Sequence, residues 1–202
     1  MKTLSSIGKY LGSLVLTAVL ASVAQAGPIT IDFSELAPQP VHGLTVKGVT
    51  FSYEIGGTAS ADAIFGSVTP LTSTFVQSPF LEGNPAGVLT LDFANPVSSI
   101  SMGLAVVPNG SYTPGSLVAL YDTSLVLGAN VPVNLTDVGS GVAEGLFSFS
   151  GGPISRVALL FDPQTRRFGV DNINLTFAVP EPGILSLMAL PLMLIVISRR
   201  KA

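Results

Sequence analysis

The chain is 202 residues long, has no cysteine and one histidine, and carries 9 basic against 12 acidic side chains for a formal charge of −3. Disulfide staples and a cysteine nucleophile are thereby excluded. Between residues 27 and 178 the imbalance is larger: four basic residues (Lys47, Arg156, Arg166, Arg167) stand against eleven acidic ones, and a net charge of −7 repels nucleic-acid phosphates.

At the N-terminus, Lys2 and Lys9 accompany an apolar run over 11–23, which leads into Ala24-Gln25-Ala26. A basic start, a short apolar core and small residues at Ala24 and Ala26 are the three parts of a secretory signal cut after Ala26. The expectation is a signal peptide over 1–26, signal peptidase as a partner, and export of the chain from Gly27 onward.

From residue 27 onward apolar residues recur with period two, the mark of strands with one buried face. Ile29, Ile31 and Phe33 form the first such set. Asp32 and Glu35 sit at its end, and His42 comes next in an early loop between Val41 and Gly43. Leu44 and Val46 share one face, but Val49, Phe51 and Tyr53 need the other, which predicts a β-bulge near Gly48. Residues 59–85 are irregular and rich in Ser, Thr and Pro, and read as a long loop across one face with a short strand inside. Leu89, Leu91 and Phe93 alternate, as do Ile100, Met102, Leu104 and Val106, with a turn signal at Asn95-Pro96 between them. Tyr112 lies in a turn-rich loop.

Two runs, 117–121 and 157–161, are apolar without alternation and read as central strands. Phe147 and Phe149 alternate before a turn signal at Gly151-Gly152-Pro153. Phe168 and Val170 disagree in parity with Ile173 and Leu175, which predicts a second bulge at Asp171-Asn172. No segment has a sustained helical period, and Gly and Pro are too frequent for long helices. The body over 27–178 is therefore expected to be all-β, an antiparallel β-sandwich of jelly-roll type with eight to eleven strands.

After it come Val179, Pro180, Glu181 and Pro182, a 16-residue apolar run over 183–198, and a basic stop of Arg199, Arg200 and Lys201 ahead of the final Ala202. An apolar run closed by positive charge reads as a single transmembrane helix with its end in the cytoplasm. This three-part tail over 179–202 resembles the PEP-CTERM sorting signal of exported Gram-negative proteins, though Gly183-Ile184 stands where many members have Ser or Thr. The resemblance implies recognition by an exosortase-type processing enzyme, membrane tethering before processing, and delivery to the cell surface or extracellular matrix. It also implies a structural or adhesive role associated with exopolysaccharide.

The body offers few chemical constellations. His42 has no Gly-x-Ser-x-Gly elbow to serve, and paired carboxylates cannot be read from scattered acids, so no catalytic residue is assigned and the chain is not read as an enzyme. No cofactor is required. The body broadly resembles jelly-roll carbohydrate-binding modules, some of which hold a structural Ca²⁺ between strand ends; Asp32, Glu35, Asp171 and Asn172 are the corresponding oxygen ligands here. The alternative to a matrix protein is therefore a carbohydrate-binding module. Trp is absent, so sugar stacking would fall to Tyr53, Tyr112 or Tyr121, with Tyr112 the best placed by its loop.

Overall fold

A computed structural model describes residues 27–108, 115–139 and 141–178. Thirteen strands run through them: β1 (Ile29–Ile31), β2 (Gln39–Pro40), β3 (Thr45–Val46), β4 (Val49–Ile55), β5 (Thr58–Ala59), β6 (Ile64–Ser67), β7 (Phe80–Gly83), β8 (Gly87–Val107), β9 (Gly115–Asp122), β10 (Leu127–Asn134), β11 (Thr136–Asp137), β12 (Ala143–Phe161) and β13 (Arg167–Phe177). The surplus over the expected number comes from pieces of two or three residues, β1, β2, β3, β5 and β11.

Two strands organise everything else. β8 has 21 residues and β12 has 19, and they pair with each other along most of their length. The first half of β8 also pairs with β4, and the second half with β13. β12 pairs with β9 only over its C-terminal half. The result is one continuous sheet that turns a corner and forms two layers. The first layer runs β10–β9–β12–β8–β4, with β3 and β5 beyond; the second runs β11–β12–β8–β13–β7–β6–β2, with β1 also on β13.

The corner explains the two internal turn signals. Asn95-Pro96 and Gly151-Gly152-Pro153 do not end strands; they fall where the β8–β12 register shifts and residues 94–96 and 151–153 have no partner in that ladder. A proline there forfeits no ladder hydrogen bond, and glycine permits the bend.

Alternation decides which side chains meet between the layers. The sets Leu89, Leu91, Phe93 and Ile100, Met102, Leu104, Val106 are all buried. Phe168 of β13 stacks on Phe161 of β12 with centroids 4.2 Å apart and planes within 5°. It also meets Tyr53 of β4 at 6.1 Å, so rings from both layers close the core. At the other end Phe65 receives Phe33 at 4.9 Å and Phe51 at 6.1 Å.

The two parity changes have different causes. At Asp171-Asn172 the register of β13 on β8 jumps from Asp171↔Gly103 to Asn174↔Ser101, with Asn172 at φ 52°, which is the expected bulge. At Gly48 there is no bulge. Val46 pairs with Val49, and Lys47 and Gly48 have φ of 48° and 80°, so the parity resets through a two-residue hairpin turn of the primed type.

The loop over 68–79 lies across the outer face of the second layer as a strap. Two buried carboxylates hold it. Glu144, 4% exposed, accepts from the Ser73 hydroxyl and from the Thr74 and Phe75 amides at 2.7 and 2.9 Å. Asp171, 3% exposed, accepts from the Gln77 amide at 2.9 Å. Burial works to raise the Glu144 pKa, but these donors together hold it below the usual carboxylate value.

No helix occurs among the described residues, so none is long and apolar enough to cross a membrane. The expected fold is corrected on this point. An all-β antiparallel sheet is observed, but the transmembrane helix expected over 183–198 and the signal peptide expected over 1–26 have no support from the structure. Both segments lie outside the described residues, with Ala24, Ala26, Val179, Pro180, Glu181, Pro182, Arg199, Arg200 and Lys201. The sequence itself carries a physical argument against the span: 16 apolar residues containing Pro191 fall short of the ~17–25 that one requires.

Candidate glycan-binding face

The outer face of the first layer departs from the usual polar exterior of a sandwich. Strand register places its side chains in three rows across five strands. One row is Thr50, Asp92, Arg156, Tyr121, Leu127; the next is Ser52, Thr90, Ala158, Ala119, Asn130; the third is Glu54, Val88, Leu160, Leu117, Pro132. Their neighbours along each strand, among them Leu91, Val118, Leu120, Val157 and Leu159, are buried on the opposite face. The runs 117–121 and 157–161 lack alternation because both of their faces are apolar, one in the core and one outside.

The middle of the face is apolar and closed, Ala119 and Ala158 being 4% and 6% exposed. Ala119 and Ala158 are register partners, and their methyl groups sit between the larger Tyr121 and Arg156 on one side and Leu117 and Leu160 on the other. Leu160 is 37% exposed, while Tyr121 and Leu117 are half-buried. Beside Tyr121, Arg156 Nε donates to Asp92 Oδ1 at 2.6 Å. That hydrogen bond is the main cause of the raised Arg156 pKa; burial opposes it, and the charges of Asp92, Tyr121 and Glu54 add to it. The face thus offers apolar side chains at Leu117 and Leu160, a half-buried tyrosine ring, and a donor and an acceptor side by side.

Size limits what this surface can hold. Strands about 4.8 Å apart, with same-face neighbours about 6.8 Å apart, give about 33 Å² per position and about 500 Å² for the fifteen positions. A stable protein–protein interface covers about 800 Å² on each partner. The face is thus a narrow one, about 20 Å across its five strands.

The four residues expected to hold calcium fall into two pairs. Asp32 caps its own turn, Oδ1 accepting from the Ser34 amide at 3.1 Å and hydroxyl at 2.6 Å. Glu35 Oε1 accepts from Lys47 Nζ at 2.6 Å and from the Asp32 amide at 3.3 Å. Asp171 accepts through Oδ1 from the Asn172 amide and through Oδ2 from Gln77 and the Asn172 side chain. Its pKa is raised, first by burial and further by the charges of Asp32 and Glu35, so the carboxylates do sense one another. Glu35 Oε2 is buried without a hydrogen-bond partner, but it is the one such carboxylate oxygen among the described residues. Calcium needs six to eight oxygens. Here a lysine ammonium already neutralises Glu35, and among the described residues no group of three or more His, Cys, Asp or Glu is arranged to hold a metal. The set does not fit the ion.

Tyr112 lies outside the described residues. Tyr53 is buried in the core and donates its hydroxyl to the Asn84 carbonyl, so it is not a contact residue. His42 Nδ1 is 2.9 Å from the Tyr53 carbonyl and accepts from the Tyr53 amide at 3.1 Å, a structural role in the hairpin. The chain has no cysteine, and among the described residues no group of three or more His, Cys, Asp or Glu is placed to hold a metal. A cavity of about 110 Å³ lies where the strap leaves β6, between Leu71, Phe80, Phe168, Glu82 and Arg167. Its polar atoms are committed: Glu82 accepts from Ser67, Thr69 and Arg167, and Arg167 also donates to Asp62 at 3.0 Å.

Sequence reasoning considered Tyr121 but missed Asp92 and Arg156, which are 64 residues apart and meet only through register. The available signal was the lost alternation in two runs that turn out to be adjacent strands.

No family model and no curated protein sequence matches the chain. Among solved structures, a mutant of the family 29 carbohydrate-binding module CBM29-2 complexed with mannohexaose is similar, with 10% identity, a TM-score of 0.41, and coverage of 76% of this chain and 93% of that one. The CBM22-1 xylan-binding domain of Paenibacillus barcinonensis Xyn10C gives 10% identity and a TM-score of 0.41 over 77% and 97% of the two chains. The lectin domain of lectinolysin complexed with Lewis B antigen gives 12% and 0.35 over 49% and 72%. At TM-scores below 0.5 these likenesses decide neither the fold nor a ligand.

With no matching family model, the expected PEP-CTERM membership is corrected. A four-residue motif and an apolar run carry too little sequence to define a family by themselves. The inferences that rested on it are withdrawn with it: the exosortase-type partner, the membrane tether, surface delivery, and the structural or adhesive matrix role; the signal-peptidase partner rested on residues 1–26, outside the described residues, and is likewise withdrawn.

Proposed function

We propose that the domain is a non-catalytic glycan-binding module whose ligand lies across the outer face of the first layer. One observation carries this reading: Tyr121 and the Asp92–Arg156 pair stand together on a sheet face whose centre is apolar. A pyranose ring has the matching character. Its C–H face is apolar and packs on an aromatic ring or an aliphatic floor, and its hydroxyls each donate and accept. Small-molecule sites combine mostly apolar lining with a few placed polar groups that fix orientation. Tyr121 supplies the stacking surface, Asp92 the acceptor and Arg156 the donors, with Leu117 and Leu160 adding apolar surface.

The test is glycan-array screening of the full chain, then titration calorimetry on the hits. Tyr121→Ala is expected to lower affinity by about tenfold or more, as loss of a central aromatic anchor does. Its melting temperature should stay near that of the parent, because the ring faces away from the core. A blank array, or hits that survive Tyr121→Ala at full strength, would remove this face as the binding site.

A further inference from the structure

We infer that Asp92 makes this face selective for uncharged glycans, by masking the one cation on it; the inference rests on the glycan-binding reading above. Of the fifteen side chains in the three rows, Arg156 is the only positive one, while Asp92 and Glu54 are negative. Arg156 is bonded through Nε to Asp92 at 2.6 Å, on the register partner of its own position in β12. Asp92 and Arg156 are each about one-third exposed, so a ligand at this position meets both.

The two groups sort ligands by charge. A neutral vicinal diol satisfies both members at once, one hydroxyl donating to the carboxylate and the other accepting from the guanidinium. A uronate carboxylate satisfies only Arg156. It meets Asp92 as a like charge, with Glu54 on the same face and a domain net charge of −7 behind it. Like-charge juxtaposition at an interface is a strong means of excluding a wrong partner. An unmasked arginine would do the reverse, because guanidinium groups bind carboxylates bidentately.

The experiment compares wild type, Asp92→Asn and the double variant Asp92→Asn/Arg156→Gln on two probes, a neutral mannan, xylan or glucan oligosaccharide and polygalacturonate. Asp92→Asn keeps the side chain's shape and removes its charge. It is expected to raise the ratio of uronate to neutral affinity by about tenfold or more. The double variant should return that ratio toward the wild-type value, since no cation is left to receive the carboxylate. Thermal melts of the three proteins exclude misfolding as the cause. If wild type binds the neutral probe and the ratio is unchanged in Asp92→Asn, the selectivity inference falls and the glycan face stands. If wild type binds polygalacturonate as tightly as the neutral chain, the inference likewise falls alone. Wild type that binds neither probe, with Asp92→Asn equally blind, overturns both.

Discussion

At the residue scale the carboxylates of this domain are mostly spent on the chain itself. Glu144 and Asp171 hold the strap, Glu82 holds β6 and Arg167, and Asp32 closes its own turn. Each of the three acids expected to hold calcium already accepts from amides, a hydroxyl or a basic side chain. The calcium candidates show this most clearly, because Lys47 Nζ sits 2.6 Å from Glu35 where an ion would need the oxygen. A ligand that binds only the folded state stabilises it by RT ln(1 + c/Kd) at free-ligand concentration c, and so raises the melting temperature. Adding a chelator, or millimolar calcium after chelation, is therefore expected to leave the thermal midpoint unchanged. A drop on chelation that calcium reverses would show that Asp32, Glu35, Asp171 and Asn172 rearrange to bind it.

At the element scale the sequence was informative wherever a strand has one wet face, and silent where both faces are covered. Leu89, Leu91 and Phe93 announce their strand because Thr90 and Asp92 alternate with them. β13 announces its bulge because Asp171 and Asn172 break the parity of Phe168, Val170, Ile173 and Leu175. The corners were misread because Pro96 and Pro153 are local signals, and a local signal cannot say whether a strand stops or bends while its partner bends with it. The strap shows the limit from the other side. The loop expected over 59–85 is a face-crossing strap only over 68–79, with two strands, β6 and β7, where one was expected, and its anchors Glu144 and Asp171 lie some 70 to 94 residues ahead in the chain. What permits close approach is Gly103, where an added Cβ would press into the Phe75 backbone carbonyl. No side-chain rotation relieves a clash with backbone, so Gly103→Ala is expected to lift the strap and cost about 1–3 kcal/mol. The amides of Thr74, Phe75 and Gln77 should then exchange with solvent well before those of β8 and β13. Unchanged protection at those three amides would mean that the strap is not seated on the sheet.

At the scale of the whole molecule, the shared strands β8 and β12 tie the layers into one cooperative body. In a sandwich of two separate sheets each layer has its own ladder, and only side-chain packing joins them. Here a break in the β8–β12 pairing disturbs both layers at once, and the rings of Tyr53, Phe161 and Phe168 join the layers a second time. The proposed glycan face depends on the same strands, since Asp92 is on β8 and Arg156 on β12, so that surface cannot loosen while the body remains folded. Denaturant unfolding should accordingly be a single transition, with far-ultraviolet circular dichroism, tyrosine fluorescence and loss of glycan binding sharing one midpoint. Folding should be slow, in milliseconds to seconds, because the longest ladders, β8 with β12, β13 and β4 and β12 with β9, join distant parts of the chain. Two separated transitions, with binding lost in the first, would mean that the first layer unfolds independently and that the corner transmits less than its continuous ladder implies.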